Sequence, residues 1–71
     1  MELSVTRLPD RPIWSVSVPG LHFAVAKIVQ RDAAFHVEPT QPGYRTFPDL
    51  MEKDGLRTIQ AAIAYVREAL A

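Results

Sequence analysis

The chain has 71 residues, no cysteine, and eight basic side chains against eight acidic ones, so its formal net charge is zero. This length predicts a single domain, residues 1–71, and the lack of cysteine excludes disulfides and thiolate metal sites. Balanced charge argues against a compact nucleic-acid binder of the usual basic kind. No apolar run is long enough for a membrane span, and Met1–Ser4 does not resemble a signal peptide. We therefore expect a small soluble domain of the cytoplasm that has no membrane partner.

Alternation of apolar and polar residues predicts strands through the first half of the chain. Proline- and glycine-rich turns separate four candidate strands, which lie at about 2–7, 13–18, 21–30 and 34–38. The last of them ends at Pro39–Gly43, because a proline cannot donate a ladder hydrogen bond. Short turns between neighbouring strands favour an antiparallel meander of three or four strands.

The second half predicts one clear helix after an irregular segment. Residues 44–55 are the least regular, with Tyr44–Phe47 as a candidate edge strand and Pro48–Lys53 as a candidate helical turn. Thr58 is a good N-cap, and no glycine or proline follows it, so a helix is predicted over about 58–70. Its apolar arc comprises Leu56, Ile59, Ala62, Ile63, Val66, Ala69 and Leu70. An α+β fold follows, with this C-terminal helix packed on one face of the sheet.

The residues that carry enzyme chemistry are scarce. There is no cysteine nucleophile, no glycine-rich phosphate loop and no Gly-x-Ser-x-Gly turn, so neither catalysis nor a cofactor is expected. His22 and His36 lie on different predicted strands. If adjacent strands brought them together near an acidic side chain, they would approximate a metal site. The ordinary alternative, two strand residues that never meet, is favoured, and no metal is expected.

Two groups of residues suggest macromolecular partners. Tyr65, with Ala61, Arg57 and Glu68, lies on the helix arc opposite the apolar one, and tyrosine is enriched at protein interfaces. The alternative for Tyr65 is a ring resting on the segment 44–55. The basic residues Lys27, Arg31 and Arg45 could form a nucleic-acid platform together with the aromatic side chains Trp14, Phe35 and Tyr44. The alternative is that these aromatic residues belong to the core.

Two families share parts of this pattern. The run Asp32–Pro39, followed by Pro42-Gly43 and a helix that contains Thr58–Ile63 and Arg67–Leu70, resembles antitoxins of the HicB type. The chain departs from them in three features: Ala33-Ala34 replaces glycines, the Pro-Gly loop is shorter, and the segment 44–57 is longer. The order of the Trp14 strand and the helix resembles the arm-binding domain of tyrosine integrases. Neither resemblance includes a specific motif, so no family is assigned from the sequence.

These observations predict a small non-enzymatic binding module. Its expected partner is another protein or a second copy of itself, in a regulatory or accessory role of the kind found in phages and toxin–antitoxin systems. The second hypothesis is a nucleic-acid-binding domain that uses the sheet face. The third is a metal- or ligand-binding domain built on the two histidines.

Overall fold

Five strands pair in chain order to form one antiparallel sheet in the computed structural model, which describes residues 2–71; Met1 of the predicted domain lies outside the described residues. A short helix interrupts the chain between the fourth and fifth strands, and a longer helix follows the sheet. The elements are β1 (Ser4–Arg7), β2 (Ile13–Ser17), β3 (Ala24–Arg31), β4 (Ala34–Pro39), α1 (Gln41–Thr46), β5 (Lys53–Leu56) and α2 (Ile59–Leu70). The predicted α+β class, antiparallel sheet and C-terminal helix are confirmed, with one strand more than predicted.

The segment 44–55 differs from its predicted structure. Tyr44–Phe47 is not an edge strand, because Tyr44 to Thr46 belong to α1. Pro48–Lys53 is not a helical turn, and the fifth strand, β5, begins at its last residue. The third strand is also shorter than the predicted 21–30, since Leu21 closes the turn after Pro19-Gly20 by donating its N–H to the Val18 carbonyl (3.1 Å).

The register places one set of apolar residues from β2, β3 and β4 on the same face of the sheet. Trp14 and Val16 of β2 lie opposite Ile28 and Ala26 of β3, and Val37 of β4 also lies opposite Ile28. Helix α2 packs over β3, β4 and β5 on this core face. The buried residues of the core are Val16, Val25, Ala26, Ile28, Val37, Leu50, Ala62, Val66 and Leu70. Burial of the apolar arc of α2 against the strands is the main favourable term in such a two-layer fold.

The opposite side of the sheet, called here the outer sheet face, is mostly polar. One row across it runs through Thr6, Ser15, Lys27 and Glu38, and a second runs through Ile13, Val29 and His36. Val29 is buried but lies outside the main core cluster. Neither helix in residues 2–71 is long and apolar enough to cross a membrane.

Candidate functional site

Glu38 pairs with both basic residues of the outer sheet face. Its Oε1 lies 3.5 Å from the Lys27 Nζ, and its Oε2 lies 3.4 Å from the Arg31 Nη2. The two cationic side chains are 52% and 63% exposed, so each contact contributes at most about 1 kcal/mol. One carboxylate thus partly neutralises two of the three cations that the nucleic-acid hypothesis relies on.

Two of the three aromatic residues of that hypothesis, Trp14 and Phe35, lie on the other side of the sheet, and the third, Tyr44, is on α1 and 50% exposed. Trp14 and Phe35 pack against the core, with their ring centroids 5.7 Å apart, and the Arg7 guanidinium lies 5.6 Å from the Trp14 ring centroid. Arg45 is on α1, whereas Lys27 and Arg31 both lie on β3. A sheet platform for single-stranded nucleic acid needs exposed aromatic rings beside its cations. The outer sheet face has Lys27 and Arg31 without Trp14 or Phe35.

The two histidines are far apart along the sheet. His22 is exposed and precedes β3, whereas His36 lies opposite Val29, near the other end of that strand. Val29 lies five residues along the strand from Ala24, which corresponds to about 16 Å. The His36 Nδ1 lies 2.8 Å from the Asp54 Oδ1 and so links β4 to β5. Within residues 2–71, no group of three or more metal-ligating side chains comes together.

Tyr65 joins α2 to the segment that precedes β5. Its hydroxyl donates to the Met51 carbonyl at 2.8 Å, and its ring packs against the core. Ala61 is half-buried beside it along the helix, whereas Arg57 and Glu68 are exposed. The ring of Tyr65 therefore lies on the segment 44–55, which is the alternative that the sequence left open, and its polar atom already has a partner inside the chain.

The sheet has two edges, and the β5 edge carries features that obstruct further strand pairing. Its pairing with β4 shifts register between Phe35 and Val37. Gly55 has a φ of +74°, which is outside the extended range of a regular strand. Lys53 and Asp54 are exposed charged residues on the same short strand. Bulges and charges of this kind are the usual means by which an edge strand avoids another chain.

The β1 edge carries fewer such obstructions, with Arg7 as its one exposed charged residue. Its register with β2 is continuous from Ser4↔Ser17 to Arg7↔Trp14, and the strand contains neither glycine nor proline. The Leu8 N–H donates to the Ile13 carbonyl at 2.8 Å. Because bonded and non-bonded pairs alternate in an antiparallel ladder, Thr6 and Ser4 also bond to β2. The backbone N–H and C=O groups of Val5 and Arg7 therefore point away from the sheet.

A second hydrogen bond confirms this orientation. The Gln30 N–H donates to the Pro12 carbonyl at 2.9 Å, so residues 12 and 30 form a bonded pair. By the same alternation, Trp14 and Val16 use their backbone groups toward β3 and not toward β1. Side-chain patterns alone did not identify the edge. The available signal was the short run Ser-Val-Thr-Arg, which contains neither proline nor glycine and has a single charged residue.

No family model, curated protein or solved structure matches the chain.

Proposed function

We propose that this protein is a non-enzymatic binding module that associates with another protein through strand addition at the β1 edge. The observation that carries the proposal is the contrast between the two edges. β5 has a register shift, a positive-φ glycine and two charges, whereas β1 has one exposed charge, Arg7, and presents the backbone groups of Val5 and Arg7 in a regular strand. In strand addition, main-chain hydrogen bonds supply the affinity and alternate side chains supply the specificity.

The reactive side chains described above support a binding role over catalysis. Glu38 is engaged by Lys27 and Arg31, and His36 is engaged by Asp54. These contacts join neighbouring strands, so they account for the side chains as sheet-stabilising pairs. A nucleic-acid role is less well supported, because Trp14 and Phe35 pack in the core and not beside Lys27 and Arg31.

Proline at position 5 tests the proposal. Val5→Pro removes an N–H that points away from the sheet, and proline is tolerated in edge strands at such positions. Val5→Ala is the matched control, because it also removes side-chain contacts with the core but keeps the N–H. We expect affinity capture from the native host, read by quantitative mass spectrometry, to retain a protein with the wild type and with Val5→Ala that Val5→Pro loses.

Capture that is equal for all three forms would overturn the β1 edge as the binding surface. Circular dichroism of the variants checks that the sheet is intact before the captures are compared. A gel shift with random single-stranded DNA at low salt examines the second hypothesis. Binding that weakens after substitution of Lys27 and Arg31 by Ala would favour a nucleic-acid role over the one proposed.

A further inference from the structure

We infer that the strand added at the β1 edge is β1 of a second copy of this chain, paired antiparallel across a two-fold axis at Val5. The inference rests on the proposed function and names its partner. It commits to a symmetric dimer in which two five-stranded sheets become one continuous sheet. The axis is perpendicular to that sheet, so the α2 helices of both copies lie on the same side.

The outward-facing backbone groups of β1 are arranged symmetrically about Val5. Leu3 precedes the strand at the next alternate position, and its side chain packs against the core as that of Val5 does. With Val5 on the axis, Val5 lies opposite itself, and Leu3 lies opposite Arg7 of the second copy. Each of these pairs is a hydrogen-bonded pair of an antiparallel ladder, in which both residues donate and accept.

A register shifted toward Pro9 matches fewer groups. An axis at Thr6 would place Leu3 opposite Pro9 of the second copy, and proline has no N–H to donate. A shift by a single residue between the two strands would also place core-facing side chains of one copy beside outer-face side chains of the other. The Val5 axis, in contrast, pairs the donors and acceptors of Leu3, Val5 and Arg7 in full and keeps the apolar side chains on one face.

The side chains beside the edge favour a second copy as the occupant. Leu3 and Val5 are half-buried on the core face, and α2 packs over the far part of the sheet, on β3, β4 and β5. The two-fold axis brings Val5 of both copies side by side and covers each Leu3 with the Arg7 stem of the other copy. A formal net charge of zero adds no long-range repulsion between copies. A core this small gains stability from such association.

Amide hydrogen exchange at two protein concentrations tests the pairing residue by residue. The Val5 and Arg7 amides bond only to the second copy, so their protection should rise by about tenfold or more at the higher concentration. The Thr6 and Leu8 amides bond to β2 within the same chain and serve as internal controls, with a much smaller change. Unchanged protection at Val5 and Arg7 in a sample that sediments as a dimer would overturn the β1 pairing.

Sedimentation of the position-5 variants completes the test. We expect the wild type and Val5→Ala to sediment as dimers, with Val5→Ala the weaker, and Val5→Pro to sediment as a monomer. A Val5→Pro variant that still dimerises assigns the dimer to another surface and overturns the inference. If the wild type is strictly monomeric but its capture of another protein is lost in Val5→Pro, the dimer is overturned and the proposed binding through the β1 edge is retained. If neither association nor capture responds to Val5→Pro, the proposed function falls as well.

Discussion

Thr40 stabilises the junction between β4 and α1 with hydrogen bonds from its backbone and from its hydroxyl, which also lies 3.2 Å from the Val25 carbonyl oxygen. Its hydroxyl donates to the Ala24 carbonyl at 2.6 Å and accepts from the Gly43 N–H at 3.0 Å. Its own backbone N–H donates to the Val25 carbonyl at 3.0 Å. One residue therefore extends the β3–β4 ladder by a rung and caps the helix that follows, which fixes the direction in which the chain leaves the sheet.

Removal of this hydroxyl should cost more than removal of an ordinary helix cap. We expect Thr40→Ala to lower the free energy of unfolding by about 2 kcal/mol, because it loses the cap and leaves the Ala24 carbonyl without its donor. Thr58→Ala is the matched control, since Thr58 caps α2 by accepting from the Ala61 N–H alone, and should cost about 1 kcal/mol. Urea titration measures both. Equal losses would show that the bond to Ala24 contributes nothing.

Gly43 is required by the close approach of α1 to β3. A Cβ at this position would overlap the Val25 carbonyl oxygen and lie 2.8 Å from the Val25 Cα. Both are backbone atoms, so no side-chain rotation can relieve the overlap. The sequence suggested that Gly43 belongs to a loop. In the structure it lies within α1, where the absence of a side chain allows the helix to contact β3.

Substitution of Gly43 should therefore be costly despite the better helix propensity of alanine. We expect Gly43→Ala to destabilise the chain by about 3 kcal/mol, because α1 must move away from β3. Arg45→Ala, at an exposed position of the same helix, should stay within about 0.5 kcal/mol of the wild type. Thermal unfolding compares the two variants. A neutral Gly43→Ala would mean that α1 is not docked on β3 at this distance.

At the scale of elements, the segment between β4 and β5 is held from both ends. Thr40 and Gly43 attach its first part to β3, and Tyr65 attaches its last part to α2 through the Met51 carbonyl. Leu50 lies between these two attachments and is fully buried. The segment is therefore part of the core structure and brings β5 into register with β4.

Tyr65→Phe isolates the contribution of the second attachment. The variant keeps the ring against the core and loses only the hydroxyl, so we expect the free energy of unfolding to fall by about 0.5–1 kcal/mol. Tyr44→Phe is the control, because Tyr44 is 50% exposed, and should be neutral. Amide exchange of residues 47–52 should accelerate in Tyr65→Phe only. Unchanged amide exchange of residues 47–52 would show that the hydrogen bond of the Tyr65 hydroxyl does not help to order the segment.

The elements that the sequence predicted well are those with strong periodicity of their own. α2 was predicted over about 58–70 and spans Ile59–Leu70, and β2 and β4 differ from prediction by one residue each. α1 was missed because Pro42 and Gly43 read as breakers, although Thr40 followed by proline within the first helical turn is a start signal. β5 was missed because Lys-Asp-Gly has poor strand propensity, and only pairing with β4 makes it a strand.

The candidate binding edge was harder to predict from the sequence than the fold was. Tyr65 stood out because of its position on a helical wheel, yet its hydroxyl is used within the chain. Which backbone groups of β1 face outward depends on the pairing register and on strand order, and neither is encoded in any single residue of the strand. Strand order itself followed the simplest expectation, since each strand pairs with its neighbour in the chain.

At the scale of the whole molecule, stability should decrease from the middle of the sheet toward its edges. β3 pairs on both sides and contributes Val25, Ala26 and Ile28 to the core. We expect its amides to show the slowest hydrogen exchange at dilute concentration, and those of β5 to exchange fastest among the amides bonded in the sheet. β5 amides as slow as those of β3 would show that the sheet opens only as a unit.

The neighbour-to-neighbour pairing of the strands also has a kinetic consequence. The hairpins β2–β3 and β3–β4 each join neighbouring parts of the chain, so little loop-closure entropy opposes their formation. β5 can join only after the stretch 40–52 has been ordered. Substitutions in the central hairpins should therefore slow folding, whereas substitutions in β5 and in the segment before it should mainly accelerate unfolding. How long the native state lasts is then set by the segment between β4 and β5.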